Sequence, residues 1–291
     1  MVGQDMFMTS EMQYDPASHV YKNLQGEQYT SVTRLIKSVV VPFDDQMIAG
    51  RMAQSVAEET GISVEQAKQE ILDQWKETRD SSLKRGDYVH DALDRYAITG
   101  QYDTEMQKPI LFLVDLIKQY YRYHNEQMIY SHTYKVAGRA DMILQRQKSK
   151  NPVFDLMDYK SNESKGIQFD SIGRKNIDLK HYNRYFLSPL DYLEDCNYTQ
   201  YCLQLSIYAF LMLEHLKVRI GKLWILFVDN DFEPHYFPVP FMYQEAKLLC
   251  ETNITRKPLP TIISTFPENS ITDMTEMSKK ERDEFIVKEE W

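Results

Sequence analysis

The stretch that decides the fold is VAGRADMILQRQKSKNPVFDLMDYK, residues 136–160. Its two apolar segments flank the polar run QRQKSKN, which predicts a β-hairpin with the turn centred near Ser149–Lys150. In a symmetric hairpin with that turn, Asp141 lies directly opposite Asp158. Lys160 shares a face with Asp158, because side chains alternate along a strand. The hairpin therefore places two carboxylates and an ammonium group on one surface, and a slip of one residue would separate the two acids.

Two opposed carboxylates need a counter-charge. Directly opposed Cβ atoms lie about 4.5–5.5 Å apart, and carboxylates at that spacing repel each other. A divalent ion such as Mg²⁺ prefers carboxylate oxygens and would remove the repulsion between Asp141 and Asp158. Lys160 would then stand beside the ion, where it could hold an attacking water or stabilise negative charge on a phosphate. A solvated strand end with a local Asp158–Lys160 ion pair is the alternative that these residues alone leave open.

The bulk composition sets wider bounds. The 291 residues suffice for one large domain or two modest ones. The sequence contains no run of about 18 apolar residues, the length that a transmembrane helix needs. Its first residues do not resemble a secretory signal. The three cysteines contain no C-x-x-C pair, which argues against a disulfide framework or a zinc or iron–sulfur site. These features favour a cytoplasmic location. The net charge of −9 does not exclude a nucleic-acid enzyme, which needs positive charge only along its groove.

The order of patterns predicts an α/β protein. We expect a flexible N-terminus at 1–17, one domain at 18–266, and an acidic tail at 267–291. Within the domain, a helical part covers about 31–125 and a catalytic core about 126–255. The predicted helices cover residues 43–60, 63–77, 81–98, 105–124, 198–217 and 242–253, and further strands follow at 222–230 and 234–241.

Four motifs in order carry a resemblance. Gly138, Asp141, Asp158 and Lys160 resemble the G-x-x-D…(D/E)-x-K core of the PD-(D/E)xK nuclease superfamily. Two further motifs resemble those of its RecB-like branch: RGDYVH resembles the helical G-x-x-x-H motif, and QLSIY resembles the Q-x-x-x-Y motif. They contribute these residues: Gly86, His90, Gln204 and Tyr208.

The resemblance implies a fold and a reaction. The fold would be a restriction-endonuclease-like core, a central mixed β-sheet flanked by helices, with a helical N-terminal elaboration. The reaction would be phosphodiester hydrolysis dependent on one or two Mg²⁺ or Mn²⁺ ions, mostly exonucleolytic and mostly on DNA. The chain would be similar to stand-alone phage or plasmid exonucleases that act in recombination, repair or replication, in a prokaryotic or phage-infected cell.

The resemblance also assigns roles to residues. Asp141 and Asp158 would bind metal, with His90 and the backbone carbonyl of Tyr159 as further ligands. Lys160 would position the nucleophile. The helical pair Gln204 and Tyr208 would orient the active site and touch the DNA backbone.

Two departures from the family pattern are visible. The branch often carries a glutamate on the strand before G-x-x-D, where MIYSHTYKV offers Ser131 and His132 instead. Some relatives hold an iron–sulfur cluster with four cysteines, and this chain has three cysteines. We therefore expect no iron–sulfur cluster.

Residues 164–190 suggest how DNA is bound. The segment carries five basic and two acidic residues. Aromatic side chains interleaved with bases suit stacked, unpaired nucleotides. The predicted DNA contacts are Lys180, Tyr182, Arg184 and Tyr185. A long loop packed on the core, with a solvated charged face, is the alternative. The partner would be single-stranded DNA or duplex ends, with no membrane, and the tail could dock a recombination or single-strand-binding protein.

Two rival functions stay open at this stage. A non-catalytic DNA-binding or assembly subunit could use a nuclease fold, although the intact Asp141, Asp158 and Lys160 argue against it. A structure-specific endonuclease would share the same residues and differ in cutting a closed circle.

Overall fold

The structure of the chain is a computed structural model that describes residues 11–161, 168–169, 175–176 and 184–255. Its strands are β1 Met12–Asp15, β2 Val20–Asn23, β3 Gln28–Ser31, β4 Arg122–Ser131, β5 Val136–Gln145, β6 Val153–Lys160, β7 Gln168–Phe169, β8 Lys175–Asn176, β9 Arg219–Val228 and β10 Pro234–Val239. Its α-helices are α1 Val32–Lys37, α2 Asp45–Thr60, α3 Val64–Thr99, α4 Gln107–Ile117, α5 Asn197–Leu216 and α6 Tyr243–Thr255.

A mixed eight-stranded sheet forms the centre of the fold and is flanked by helices. Strand β5 lies at its branching point. Along one edge, β5 pairs with antiparallel β4 over its whole length. On the other edge, β3 pairs in parallel with residues 136–137, and β6 pairs antiparallel with residues 142–145. The sheet therefore forks beside residues 138–141 of β5.

The β5–β6 register agrees with the predicted hairpin. Met142 lies opposite Met157, and Ile143 lies opposite Leu156. One step further in the same register, Asp141 comes opposite Asp158. Strand β6 then continues along parallel β9 as far as Lys160, which pairs with Phe227. The prediction of the hairpin and its register is confirmed.

Two apolar cores cover the faces of the sheet. One core contains residues of α1, α5 and α6, and the other contains residues of α3 and α4. The buried residues of β5 change sides at Asp141. Val136 and Ala140 belong to the α5 core, whereas Met142 and Leu144 belong to the α3–α4 core. Because of this change, Asp141 lies where side chains from both faces can approach it.

Gly138 is the residue that lets α5 approach the fork. A Cβ atom built on Gly138 would lie 2.6 Å from Cε1 of Tyr208 and 2.9 Å from Cγ2 of Val32. Both distances are shorter than ordinary carbon contacts. The glycine of the G-x-x-D pattern is therefore required here by packing.

The chain divides into two compact units. The larger contains the sheet, and its described residues are 11–41, 88–161, 168–169, 175–176 and 184–255. The described residues of the smaller are 42–87, where Ala53, Ile71 and Trp75 belong to one buried cluster. Ser63 caps α3 by accepting the N–H of Gln66 at 3.2 Å, and the Gln66 amide oxygen accepts the N–H of Ser63 at 3.2 Å. The predicted domain boundaries at 18 and 266 stay predictions.

Several predicted elements differ from the observed ones. The helices expected at 63–77 and 81–98 form one helix of 36 residues, because the intervening TRD contains no glycine or proline that would end it. The helix expected at 105–124 ends earlier, at Ile117, and β4 begins at Arg122. Residues 12–15 form a strand paired with β2, in place of a flexible segment. The acidic tail at 267–291 lies outside the described residues. Among the described helices, none combines the length and apolarity needed to span a bilayer.

We predict that Gly138→Ala destabilises the protein by about 1–3 kcal/mol, because the added methyl group overpacks the contact with Tyr208. Urea unfolding measures this difference. Gly50→Ala is the matched control, since Gly50 lies inside α2 and an added Cβ atom would meet nothing within 4 Å. That variant should be stabilised by about 0.5–1 kcal/mol. Equal stability of Gly138→Ala and the parent would contradict the close approach of α5 to β5.

Candidate metal centre and active site

Asp141 is a buried carboxylate at the fork of the sheet, with 7% of the residue exposed. Its Oδ2 atom accepts the backbone N–H of Tyr159 at 2.6 Å. Nδ1 of His90, on α3, lies 3.7 Å from the same oxygen. Asp141 therefore connects the end of β6 to the helix that carries the predicted histidine ligand.

Glu126 completes a three-residue cluster with Asp141 and His90. The three residues each offer one ligand atom, and these atoms all lie within 4.8 Å of one another. Glu126 lies on β4 in the register position opposite Asp141, and its backbone adopts a positive φ of 50°. Such a conformation is uncommon for a residue with a side chain. The irregularity falls at the point where β5 changes faces.

Asp158 and Lys160 form a second group on the α5 side of β6. Gln204 on α5 donates its amide N–H to Asp158 Oδ1 at 3.1 Å. Nζ of Lys160 lies 2.5 Å from Oδ2 of Asp158 and 5.0 Å from the ring centre of Tyr201. Asp158 is 1% exposed and Lys160 is 8% exposed, so this ion pair is largely removed from water. The solvated strand end considered from the sequence is therefore wrong.

Tyr208 and Tyr159 are both buried next to this site. Tyr208 is 4% exposed, lies against Gly138 and interacts with Gln204 through its hydroxyl group. Its predicted contact with DNA stays a prediction, and its burial gives that contact no support. The Tyr159 ring belongs to the α3–α4 core, on the opposite face from Asp158. This agrees with the expectation that only the backbone of Tyr159 is available at the site.

The electrostatics of the cluster disfavour ionisation of its acids. Burial, followed by the charge of Asp158, raises the pKa of Asp141 well above its usual value. Burial, followed by the charges of Asp141 and Asp94, raises the pKa of Glu126 to about 8. Burial and the nearby Lys160 lower the pKa of His90, which keeps its imidazole neutral and able to bind a metal. The fold thus gathers acids whose ionised forms it destabilises.

The donor set fits a divalent cation. Two carboxylates and one neutral imidazole are hard or borderline ligands of the kind that Mg²⁺ and Mn²⁺ accept. Oδ2 of Asp158 is buried and accepts no hydrogen bond of normal geometry among the described residues, although Lys160 lies beside it. A buried carboxylate oxygen with spare acceptor capacity is consistent with a ligand site.

The predicted DNA contacts are only partly described. Lys180 and Tyr182 lie outside the described residues. Arg184 forms an ion pair with Asp195 at 3.0 Å, and Asp195 also accepts an N–H of Gln200 at 2.8 Å. Tyr185 is 51% exposed and pairs with Glu194 in an isolated bridge. The charge of Arg184 is thus already matched by an acid, while Tyr185 remains accessible.

Glu126 is the site residue that the sequence pattern does not reveal. The family resemblance directs attention to MIYSHTYKV, which offers Ser131 and His132, and the predicted helix ending at residue 124 hides the start of β4. His132 instead interacts with Tyr29 and with Glu11, away from the cluster. The available signal is the alternating aromatic sequence QYYRYHNEQM, which is typical of a strand and contains Glu126.

Comparisons with known proteins add little to this geometry. No model of a known protein family matches the chain, and no curated protein matches its sequence. A crystal structure from Eubacterium rectale, described as a "putative exonuclease", matches with a TM-score of 0.33 and 12% identity. The match covers 78% of this chain and 79% of that chain. Similarity at this level carries no argument, so the case for a function depends on the residues of the site.

We predict that Glu126→Gln gains stability relative to the parent as the pH rises in EDTA. Below its ordinary pKa of 4.5, Glu126 is protonated in both folded and unfolded chains. Between that value and about 8, the unfolded chain ionises while the folded chain stays protonated, so the parent loses stability as the pH rises. The uncharged glutamine avoids this loss, and its relative gain should reach about 1–3 kcal/mol at the upper end.

Urea unfolding at pH 5, 6.5 and 8 measures the effect. Glu27→Gln is the control, because Glu27 pairs with Lys135 and its pKa is lowered. An acid with a lowered pKa contributes stability that is lost only as the pH falls, so its variant should show no gain across this range. If the difference in free energy of unfolding between Glu126→Gln and the parent did not change with pH, the raised pKa of Glu126 would be contradicted.

Proposed function

We propose that the chain is a metal-dependent nuclease that hydrolyses phosphodiester bonds in DNA, acting as an exonuclease. The observation that carries the proposal is the convergence of His90, Glu126 and Asp141 within 4.8 Å, next to the buried Asp158–Lys160 pair. Carboxylates with an adjacent lysine on a sheet are suited to hydrolysis of a phosphate ester. The four motifs that resemble the RecB-like branch of the PD-(D/E)xK superfamily add support, and with them we propose a restriction-endonuclease-like core.

The metal ligands would come from both groups of the site. His90, Glu126 and Asp141 would hold a Mg²⁺ or Mn²⁺ ion, with Asp158 and the Tyr159 carbonyl as further donors. When bound, the ion would supply Lewis acidity and lower the pKa of a water. Its positive charge would also relieve the repulsion that raises the pKa values of Asp141 and Glu126.

Lys160 would act on the reacting groups. Its ammonium group is held between the Asp158 carboxylate and the Tyr201 ring, and 8% of the residue is exposed. A charge fixed in a site with little water needs no reorganisation when negative charge develops on a phosphate. Lys160 would therefore stabilise the transition state and orient the attacking water.

Gln204 would be a positioning residue. Its amide donates to Oδ1 of Asp158 and leaves Oδ2 directed toward Lys160. Tyr208 interacts with Gln204 and fits against Gly138, so the spacing of the Q-x-x-x-Y motif joins the acid to the fork of the sheet. These residues would act through Asp158.

The segment that precedes α5 would contribute to DNA binding. Tyr185 is exposed and could stack on a base, as could Tyr182, while Lys180 could contact the DNA backbone. The chain has a net negative charge, which repels the DNA backbone. The basic residues of 164–190 would supply the positive charge that attracts DNA to the site.

The test is digestion of linear DNA labelled at its 5′ or 3′ end, and of covalently closed circular DNA, with Mg²⁺, Mn²⁺ or EDTA. Release of mononucleotides or short products from linear DNA, only with metal, is the expected result. Cutting of the circle would replace the exonuclease with the endonuclease alternative. DNA binding without cleavage at any metal concentration would favour the non-catalytic subunit and contradict the proposal.

We predict that Lys160→Ala lowers turnover by about 10²–10³-fold while DNA affinity changes little, because the ammonium group acts mainly in the transition state. Single-turnover cleavage and fluorescence anisotropy measure the two quantities. Asp158→Asn is the comparison, since it should weaken metal binding as well as activity. Near-parental cleavage by Lys160→Ala would remove the lysine from the mechanism.

We also predict that the Tyr201 ring, not its hydroxyl group, holds Lys160 in place. Tyr201→Phe keeps a ring 5.0 Å from the ammonium group and should retain activity within about twofold, whereas Tyr201→Leu should lower kcat by about tenfold with little change in KM. Equal activities of the Phe and Leu variants would show that the ring does not position Lys160.

A further inference from the structure

Arg139 connects the acid cluster to the N-terminal strands. It lies on β5 two residues before Asp141, and its Nε atom forms an ion pair with Oε2 of Glu126. Its guanidinium carbon lies 5.1 Å from the ring centre of Tyr14, which stacks on Tyr21 with the ring centres 4.7 Å apart. The Arg139 side chain is 44% exposed. A cation with this much solvent contact can move if its partner acid is taken by another charge.

The ion pair places a positive charge beside the acid cluster. The ligand atom of Glu126 lies within 4.8 Å of those of Asp141 and His90, and the Arg139 guanidinium pairs with the Glu126 carboxylate. Asp94 is fixed beside this group by an N–H from Asn125 at 3.0 Å. Arg139 thus supplies the positive charge that a bound divalent ion would otherwise provide at Glu126.

A divalent ion and Arg139 compete for the same carboxylate. Cations at one acid repel each other, and the repulsion is strong where little water intervenes. Arg139 would then leave Glu126 while its guanidinium stays near the Tyr14 ring. The planar guanidinium group matches two oxygens of a phosphate and loses little when exchanged from a carboxylate to a phosphate.

We propose that Arg139 is a phosphate contact of the site that Glu126 holds in reserve until a divalent ion binds. The proposal rests on the nuclease function proposed above and names an additional nucleic-acid contact beside the metal centre. Metal loading and substrate binding are then coupled through one side chain: the same ion that completes the site releases the cation that receives the DNA backbone.

A purely structural Arg139 makes the opposite prediction. If the ion pair only holds Glu126 in position for the metal, its removal would lower metal affinity. If Arg139 competes with the metal, its removal would raise that affinity. The sign of the change therefore decides between the two roles.

The first measurement is Mn²⁺ affinity of the full chain by electron paramagnetic resonance, without DNA. Arg139→Met should bind Mn²⁺ about fivefold more tightly than the parent, the order expected for loss of one partly exposed competing ion pair. Lys135→Met is the matched control. Lys135 also pairs with a glutamate, Glu27, at 2.8 Å and lies 5.2 Å from a tyrosine ring, that of Tyr29, but its glutamate is not part of the cluster. Its variant should leave Mn²⁺ affinity unchanged.

The second measurement is the salt dependence of DNA affinity by fluorescence anisotropy, in Ca²⁺ and in EDTA. Loss of one phosphate contact reduces the slope of log affinity against log salt by about 0.7–0.9. Arg139→Met should show this reduction in Ca²⁺ and no reduction in EDTA, where the parental arginine remains on Glu126. Lys135→Met should match the parent in both solutions.

The outcomes separate the two proposals. Tighter Mn²⁺ binding together with a metal-dependent loss of slope supports the reserve contact. Weaker or unchanged Mn²⁺ binding, or an equal loss of slope in EDTA, overturns it while the nuclease function stands. A parent that binds neither Mn²⁺ nor DNA overturns both.

Discussion

The hydrogen bond from the Tyr159 N–H to Oδ2 of Asp141 is the contact on which the site depends. Strand β6 leaves β5 after Met157, and β3 joins β5 at Val136 and Ala137, so the sheet has an opening between them. A backbone group at such an opening needs a partner, because an unsatisfied buried N–H costs about 1–3 kcal/mol. The Asp141 side chain provides it. The acid therefore belongs to the architecture of the fork and, through its position there, to the candidate metal centre.

The same opening explains why the acids are held as close neighbours. Asp141 reaches His90 and Glu126 on one side, and the charge of Asp158 acts on it from the other. Lys160 pairs with Asp158, while Arg139 pairs with Glu126. The three acids lie on neighbouring strands, with Asp141 on the middle one. Each cation thus pairs with an acid on an outer strand, and within the described part of the chain no lysine or arginine forms an ion pair with Asp141. Asp141, on the middle strand of the three, is therefore the acid to which the proposed divalent ion would bring the missing positive charge.

The sequence predicts those features of the site that depend on residues close together in the chain, and it does not predict those that depend on distant residues. The hairpin register depends on a short turn and on alternation within residues 136–160, and its prediction is confirmed. Glu126 escapes prediction because its position opposite Asp141 depends on the pairing of β4 with β5, which joins separate parts of the sequence. The contact between Arg139 and the Tyr14 ring joins residues far apart in the chain, so no local sequence pattern predicts it.

A comparison within β6 separates a fully hydrogen-bonded acid from the acid proposed as a metal ligand. Asp155 and Asp158 are each 1% exposed. Asp155 accepts hydrogen bonds from Arg146 at 2.9 Å, from the Tyr120 hydroxyl at 2.9 Å and from the Lys222 N–H at 2.7 Å, so its acceptor capacity is used within the protein. From the described residues, Asp158 receives one hydrogen bond and one ion pair, which leaves acceptor capacity at its Oδ2 atom. Burial alone therefore does not distinguish the candidate metal ligand from the other acid. Asp158, which the described residues leave incompletely satisfied beside a lysine at the fork, is therefore the acid of β6 that we propose as a metal ligand.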